Sequence, residues 1–468
     1  MEPLQPKLTF KLLGEKMVNK RTQQLIQADK EHHVHPFWPV GSEVEIVFEK
    51  GHGIYLVDTE GKEYIDFASQ LVCCNLGHHC QEINAAIAAA LDKLDYATSF
   101  FGNTNVYAVE LSQKLAEITP GGLRYFYYTC GGSESVDTVL KLARGYWNLK
   151  GQAGKYKIIS LYDSYHGLAG NSINATGANG DFYQAPFGPA LSPGYLKVPS
   201  YNSYRSMFGD SPDSAMLSAR FMEQVILNEG ASSIAAVIAE PIFGTAGGHV
   251  EPPAEWWAMV SDICKRHNIL LIVDEVMSGF CRTGKMFASE HWNLEPDIMT
   301  MAKGITAAAI PFGGVAFSDE VYSAFEGKLF THGFTYTAHP VSCAAAIATI
   351  DYYLNNKVAE NADRVGKHIE KRLETEFLPM QWVSQVGGRG LFQAIELVID
   401  KETKTPISVG QGGFLRRKLL EKGVWTRLGG VSGNRIDICP PCTITVEEAD
   451  NALDIIKAVL TEFKPRQI

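Results

Sequence analysis

The 468-residue sequence is 46% hydrophobic and 20% charged, with a formal net charge of −10, the balance of an ordinary globular protein able to bury large cores in two or three domains. It has no block of like charge and so no basic stripe for a phosphate backbone, which excludes nucleic acid as a partner. No apolar stretch approaches the ~18 uninterrupted residues of a membrane span, and the opening MEPLQPKLTFKLLGEK lacks the apolar core of a signal peptide, so a cytoplasmic location is expected.

Residues 1–65 read as an arm and a hairpin belonging to the smaller domain, the hairpin being GIYLVDTEGKEYIDF around a Thr-Glu-Gly turn. Histidines cluster at His32, His33 and His35 and again at His78 and His79 beside Cys80. Neither cluster carries a carboxylate or cysteine set at ligand spacing, and no metal is expected. The nine cysteines are too sparse for a disulfide scaffold and read as reduced thiols; Cys439 and Cys442 have CxxC spacing but no second pair to complete a zinc site.

Between 66 and 338, short apolar runs alternate with stretches long enough for helices. RYFYYT (124–129), KIISLY (157–162), AAVIA (235–239), ILLIV (269–273), IMTM (298–301) and GGVAFS (313–318) predict buried strands of a mostly parallel α/β sheet covered by helices on both faces. From 339 the texture changes to a smaller α+β domain. It closes with a helix that starts at Thr445 and Glu448 in capping-box spacing and puts Ala449, Leu453, Ile456, Leu460 and Phe463 on one face.

Open parallel sheets bind ligands at the carboxyl ends of their strands, so the residues that follow the apolar runs carry the chemistry. Gly132 and Ser133 open a helix whose free N–H groups favour a phosphate, although alone they also fit a glycine turn with a serine N-cap. Tyr165 and His166 sit beside a glycine, where the ring could stack on a flat ligand or simply pack locally. Asp274 ends a fully apolar strand and needs a partner. Lys303 ends another, where an unpaired ammonium is costly.

Together these residues match pyridoxal 5'-phosphate. A lysine holds its aldehyde as a Schiff base, which removes the buried charge. An aspartate keeps the pyridine nitrogen protonated. The released amine then acts as a general base if burial lowers its pKa.

The segments AEPIFGTAGGHVEPP, LLIVDEVMSGFCRTGKMFASE, PDIMTMAKGIT and HGFTYTAHPVSCAAA resemble the class III, or omega, aminotransferases of fold type I, over almost the whole chain. The resemblance implies a large cofactor-binding domain (66–338) and a C-terminal small domain (339–468). It implies that Gly132 and Ser133 bind the cofactor phosphate, that Tyr165 lies over the ring, that Asp274 faces the pyridine nitrogen and that Lys303 forms the Schiff base. Glu240 is implied as an acid near the cofactor and Arg427 as the grip on a substrate carboxylate. Phe334 and Thr335 would reach the phosphate of a neighbouring subunit, making the active unit a homodimer. Phe37 and Phe100 would wall the substrate pocket.

Three departures stand out. Gly131 replaces a serine common before the phosphate helix, which removes a side-chain contact. Val72 stands where the branch most similar, the omega-amino acid or amine:pyruvate aminotransferases, often has tryptophan, which predicts a wider pocket. Ala307, Ala308 and Ala309 replace glycine or serine. The implied reaction moves an amino group from an omega-amino acid or amine (beta-alanine, taurine, 4-aminobutyrate) to a 2-oxo acid (pyruvate or 2-oxoglutarate). An epimerase, aminomutase or decarboxylase on the same scaffold, or a non-catalytic binding protein, are the alternatives.

Overall fold

A computed structural model describes residues 18–465; the opening segment read for a signal peptide lies outside the described residues. After the helix Lys20–His32 come β1 (Phe48–His52), β2 (Tyr55–Asp58) and β3 (Glu63–Asp66), paired antiparallel. The β2–β3 turn is the one read from the sequence. Asp58 Oδ1 accepts from the N–H groups of Glu60 and Lys62, each at 2.9 Å, and Gly61 takes the left-handed φ of +77° that a glycine adopts without strain.

All six predicted strands form: β4 (Tyr125–Thr129), β5 (Lys157–Leu161), β7 (Ile234–Ala239), β8 (Leu270–Asp274), β9 (Ile298–Ala302) and β10 (Gly313–Phe317). β6 (Tyr195–Val198) joins them at the sheet edge. The sequence did not announce it, because YLKV is short and carries a lysine, as edge strands do. The order is β4-β10-β9-β8-β7-β5-β6, parallel throughout except for β10, which runs antiparallel to both neighbours. Every residue of β7, β8 and β9 is buried, because helices cover both faces. Val136, Val139, Leu140 and Ala143 of Gly132–Leu149 pack on one side, and Ala219, Met222, Trp256 and Val260 of Ser214–Glu229 and Ala254–Arg266 on the other. Each fully buried aliphatic side chain contributes about 1.5–3 kcal/mol.

The C-terminal part contains β11 (Val383–Arg389), β12 (Phe392–Asp400), β13 (Thr405–Pro406), β14 (Val424–Trp425), β15 (Leu428–Gly429) and β16 (Arg435–Ile438). β11-β12-β16-β15 form one sheet, with β13 on β12, while β14 leaves it to pair in parallel with β3. The closing helix Val446–Glu462 has its capping box: Glu448 N donates to Thr445 Oγ1 (3.2 Å) and Thr445 N to Glu448 Oε2 (2.9 Å). The helix Pro340–Asn355, which opens the segment of changed texture, packs on the helices Gln81–Lys93 and Val106–Ile118 and on the turn after Lys303.

The parts are tied by Arg282, wholly buried. Its Nη2 donates to Ser69 Oγ (3.1 Å) and Asn75 Oδ1 (2.7 Å), and its Nη1 to the carbonyls of Leu391 and Pro440. Among the described residues no helix is long and apolar enough to cross a membrane.

Candidate active site

The carboxyl ends of β4, β5, β7, β8 and β9 face one side of the sheet and open into a cavity of about 590 Å³. Gly132, Ser133, Tyr165, Glu240, Asp274, Lys303 and Arg427, from widely separated parts of the chain, all line it. β8 ends in Asp274, and β7 and β9 are followed directly by Glu240 and Lys303, polar residues at the end of an open sheet where ligands bind.

Asp274 is the last residue of β8. Its Oδ1 accepts from Thr300 Oγ1 (2.8 Å) and Val276 N (3.1 Å), and its Oδ2 lies 2.6 Å from His166 Nδ1. Buried carboxylates need such partners. His166, which could have been local packing, is thereby part of the site, and its Nε2 has no partner among the described residues.

Lys303 follows β9 in a left-handed conformation, φ +49°. For a residue with a side chain this costs about 1–2 kcal/mol. Strain of this kind gathers at functional sites. Among the described residues Nζ has no hydrogen bond or ion pair. Burial pushes the amine down to about 8, against the opposing pull of Cys73, Asp274 and Glu240. Ala307 and Ala308 after it also have left-handed φ, of +48° and +63°, the conformation for which glycine is the usual residue.

The helix Gly132–Leu149 begins without a side-chain cap, from Gly131. Its first N–H groups are therefore open, and at the N-terminal end of the dipole they suit an anion. A Cβ on Gly132 would come within 2.7 Å of Val276 Cγ1, whereas one on Gly131 would meet nothing within 4 Å. The serine N-cap alternative does not hold. Ser133 lies inside the first turn, and its Oγ accepts from Leu168 N at 3.4 Å.

Glu240, buried just past β7, joins two loops of the wall: its Oε1 accepts from Tyr165 N (2.9 Å) and its Oε2 from Gly244 N (2.8 Å). Burial pushes its carboxyl up to about 7, with His166 opposing and Asp274 reinforcing.

Phe37 lines the cavity mouth and stacks on Phe182, with ring centres 5.5 Å apart. Val72 is placed differently from expectation. Left-handed turns at Ser69, Gln70 and Val72 direct its side chain into a buried cluster with Ile242, Phe392 and Cys439, and Leu71 and Cys73 face the cavity instead. Its small size therefore does not widen this cavity. Phe100 also lies off this wall, packed against Gly333. Its loop is pinned there by Ser99 Oγ to Thr337 O (3.2 Å), Asn105 Nδ2 to Ala338 O (2.9 Å) and Tyr96 OH to Thr335 O (2.8 Å). Phe334 and exposed Thr335 share that outer surface and do not reach their own chain's cavity.

Cys73, Tyr183, Thr245, Met277 and Phe312 line the cavity with no signal in the sequence. The hydrogen bond with Cys74 pulls the Cys73 thiol down; burial opposes this and Lys303 assists it. Outside the cavity, each histidine cluster meets a carboxylate, which corrects the expectation of none at ligand spacing: Asp29 stands four residues before His33, and Asp66 twelve before His78. His33 and His35 lie 3.0 and 2.8 Å from the two oxygens of Asp29, and His78 lies 2.9 Å from Asp66 near Cys74.

The family model for class-III aminotransferases matches residues 38–460. The chain belongs to the class III aminotransferases. The curated relatives of this aminotransferase include the putrescine–pyruvate aminotransferase of Pseudomonas aeruginosa, 31% identical over 96% of this chain and 98% of the relative. They also include the adenosylmethionine-8-amino-7-oxononanoate aminotransferase of Geobacter sulfurreducens, 34% identical over 92% and 96%. Among solved structures, an amine transaminase from an uncultivated Pseudomonas species, described in its PLP-bound form, superposes with a TM-score of 0.87. It is 33% identical, and the match covers 92% of this chain and 98% of that one. The protein is thus an enzyme of fold type I, and its family uses pyridoxal 5'-phosphate, an amino donor and an oxo acid acceptor.

The aminotransferase has room and partners for that cofactor. The uncapped helix start suits a phosphate, the unpartnered amine of Lys303 suits an aldehyde, and the hydrogen-bonded Asp274 suits a protonated ring nitrogen.

Proposed function

We propose that this aminotransferase takes the amino group of an amine or omega-amino acid and delivers it to a 2-oxo acid. The observation that carries this reading is the cavity wall: apart from Lys303 and the imidazole of His166, Arg427 is the one basic group among the described lining residues, set among Phe37, Leu71, Tyr183, Met277 and Phe312. A guanidinium fork suits one carboxylate, and apolar and aromatic walls suit an uncharged amine substituent. One fork favours pyruvate over the dicarboxylate 2-oxoglutarate. The printed names of relatives, one acting between putrescine and pyruvate and one described as an amine transaminase, support the same direction. Beta-alanine, 4-aminobutyrate and taurine would place their acid group on Arg427.

Bound pyridoxal phosphate supplies an electron-withdrawing ring and carries the amino group between the two half-reactions. Gly132 and Ser133 hold its phosphate, Tyr165 covers its ring, and Asp274 keeps a proton on the ring nitrogen. Glu240 fixes the loop that presents Tyr165. Lys303 Nζ anchors the aldehyde and, once free, takes the proton from the substrate carbon that bears the amino group; its lowered pKa makes it a base near neutral pH. Phe37 walls the mouth. Phe334 and Thr335, with Phe100 beside them, serve the site of a partner subunit in a homodimer, a reading supported by their position away from their own cavity. The pairing of β3 with β14 supports counting residues 1–65 with the C-terminal domain that follows 66–338. Nine free thiols suit the cytoplasm.

The test is a single turnover. Adding a simple amine without acceptor should convert the bound cofactor stoichiometrically to pyridoxamine phosphate, and pyruvate should restore it. A racemised or decarboxylated substrate with the cofactor unchanged would refute transamination.

A further inference from the structure

Behind Arg427 lies a buried polar chain that none of the roles above uses. Arg427 Nη1 donates to Thr245 Oγ1 at 3.5 Å; Thr245 Oγ1 donates to Asp437 Oδ2 at 3.0 Å; and Asp437 Oδ1 lies 3.0 Å from His249 Nε2. Asp437 also donates its backbone N–H to the Arg427 carbonyl (3.0 Å), fixing β16 to the residue just before β15. Asp437 and His249 are inaccessible to solvent, and the imidazole is enclosed edge-on by Phe392, 4.3 Å between ring centres. Burial alone would raise the Asp437 carboxyl, but His249, Arg427 and Thr245 together hold it below the ordinary carboxylate range. The Asp437 carboxylate thus stands two hydrogen-bond lengths behind the guanidinium that faces the cavity.

That charge answers a problem set by two alternating substrates. With a 2-oxo acid in the cavity, Arg427 has an anion in front of it. With a simple amine it has none, and its charge would face apolar walls and repel a protonated donor. We propose that Asp437, oriented by His249 and linked through the Thr245 hydroxyl, is the internal counter-charge of Arg427, a positioning residue that lets one pocket accept both an amine lacking a carboxylate and a carboxylate-bearing acceptor. The proposal rests on the reading of Arg427 as the carboxylate grip.

The two substrates make its test directional. Removing the counter-charge leaves Arg427 free for an anion in front and leaves its repulsion of a cationic amine uncompensated. In the cofactor-loaded enzyme, Asp437→Asn should lower the KM for pyruvate and tighten calorimetric binding of propanoate, a non-reacting carboxylate, while raising the KM for an amine donor, each by roughly 3- to 10-fold. Thr245→Val, which cuts the link without removing the buried charge, should act in the same directions but less, and Thr245→Ser should restore the parent values. In the Arg427→Ala background, Asp437→Asn should no longer affect propanoate binding. A purely structural defect would move both KM values the same way or lower kcat alone. Either result, or no change, overturns the counter-charge. The two readings separate cleanly. If Arg427→Ala leaves propanoate binding intact, the carboxylate grip itself is wrong. If Arg427→Ala weakens binding and Asp437→Asn does not tighten it, only the counter-charge is wrong.

Discussion

Adding one methyl group at the start of the helix Gly132–Leu149 tests its proposed role as a phosphate cradle at a point where the structure gives a magnitude. A Cβ at Gly132 would stand 2.7 Å from Val276 Cγ1 and 3.3 Å from its Cγ2, against an optimal carbon separation of about 3.5–4.0 Å. Either Val276, two residues beyond Asp274, or the helix start must move by several tenths of an ångström. Overpacking of this size costs about 1–3 kcal/mol. Because the strain falls on the proposed phosphate cradle and on the turn after Asp274, Gly132→Ala should weaken pyridoxal phosphate binding by roughly 5- to 150-fold. The assay is titration of apo enzyme with the cofactor, followed by its visible absorbance. Gly131→Ala is the control, since its Cβ would meet nothing within 4 Å and its backbone is extended; it should bind nearly as the parent does. Val276→Ala in the Gly132→Ala background should recover most of the loss. Equal losses at the two glycines, or no rescue, would refute the steric argument.

Lys303 in the apo protein should form its imine with free pyridoxal phosphate at a rate that rises with pH and levels off above about 8, where the amine is neutral; borohydride trapping and peptide mapping of Lys303→Ala should find no adduct at this site. Asp274→Asn should keep the cofactor, because volume and most hydrogen bonds survive, but slow the amine half-reaction by at least tenfold in stopped-flow absorbance; an unchanged rate would remove Asp274 from the chemistry. Glu240 has a folded pKa of about 7 against 4.5 in the unfolded chain, so between those pH values the folded state holds the extra proton and stability falls as pH rises. Denaturant unfolding of the apo protein should show that fall, up to about 3 kcal/mol, and Glu240→Gln should flatten it. Arg427→Ala should raise the KM for pyruvate by about one to two orders of magnitude, the worth of a charge-assisted hydrogen bond, and spare an uncharged amine donor.

Lys303, Asp274 and the start of the helix Gly132–Leu149 were legible as cavity residues because a charged or glycine residue at the end of an apolar run conflicts with local burial, and that conflict needs no three-dimensional information. The strands of the sheet were legible because short, largely apolar runs such as AAVIA alternate with segments long enough for helices. Val72 misled because its position in a sequence motif does not give the direction of its side chain; three left-handed residues within four positions turned it inward. Phe100 was placed on a pocket wall by resemblance, and hydrogen bonds from its loop to residues 335–338 hold it away from its own chain's cavity. The Thr245–Asp437–His249 chain was invisible, since His249 and Asp437 stand 188 positions apart and each looks ordinary among its neighbours.

The pairing of β3 with β14, Val424 against Ile65 and Trp425 against Asp66, makes the order of synthesis matter. The strand that completes the hairpin's sheet is made only several hundred residues after β3. At about 5–20 residues per second the unpaired edge of β3 stays open for tens of seconds. During that time it is a template for any other strand, so a nascent or truncated chain ending before Val424 carries both an exposed edge and a cavity without Arg427. Aggregation, rather than partial activity, is the expected fate of fragments that stop before Val424.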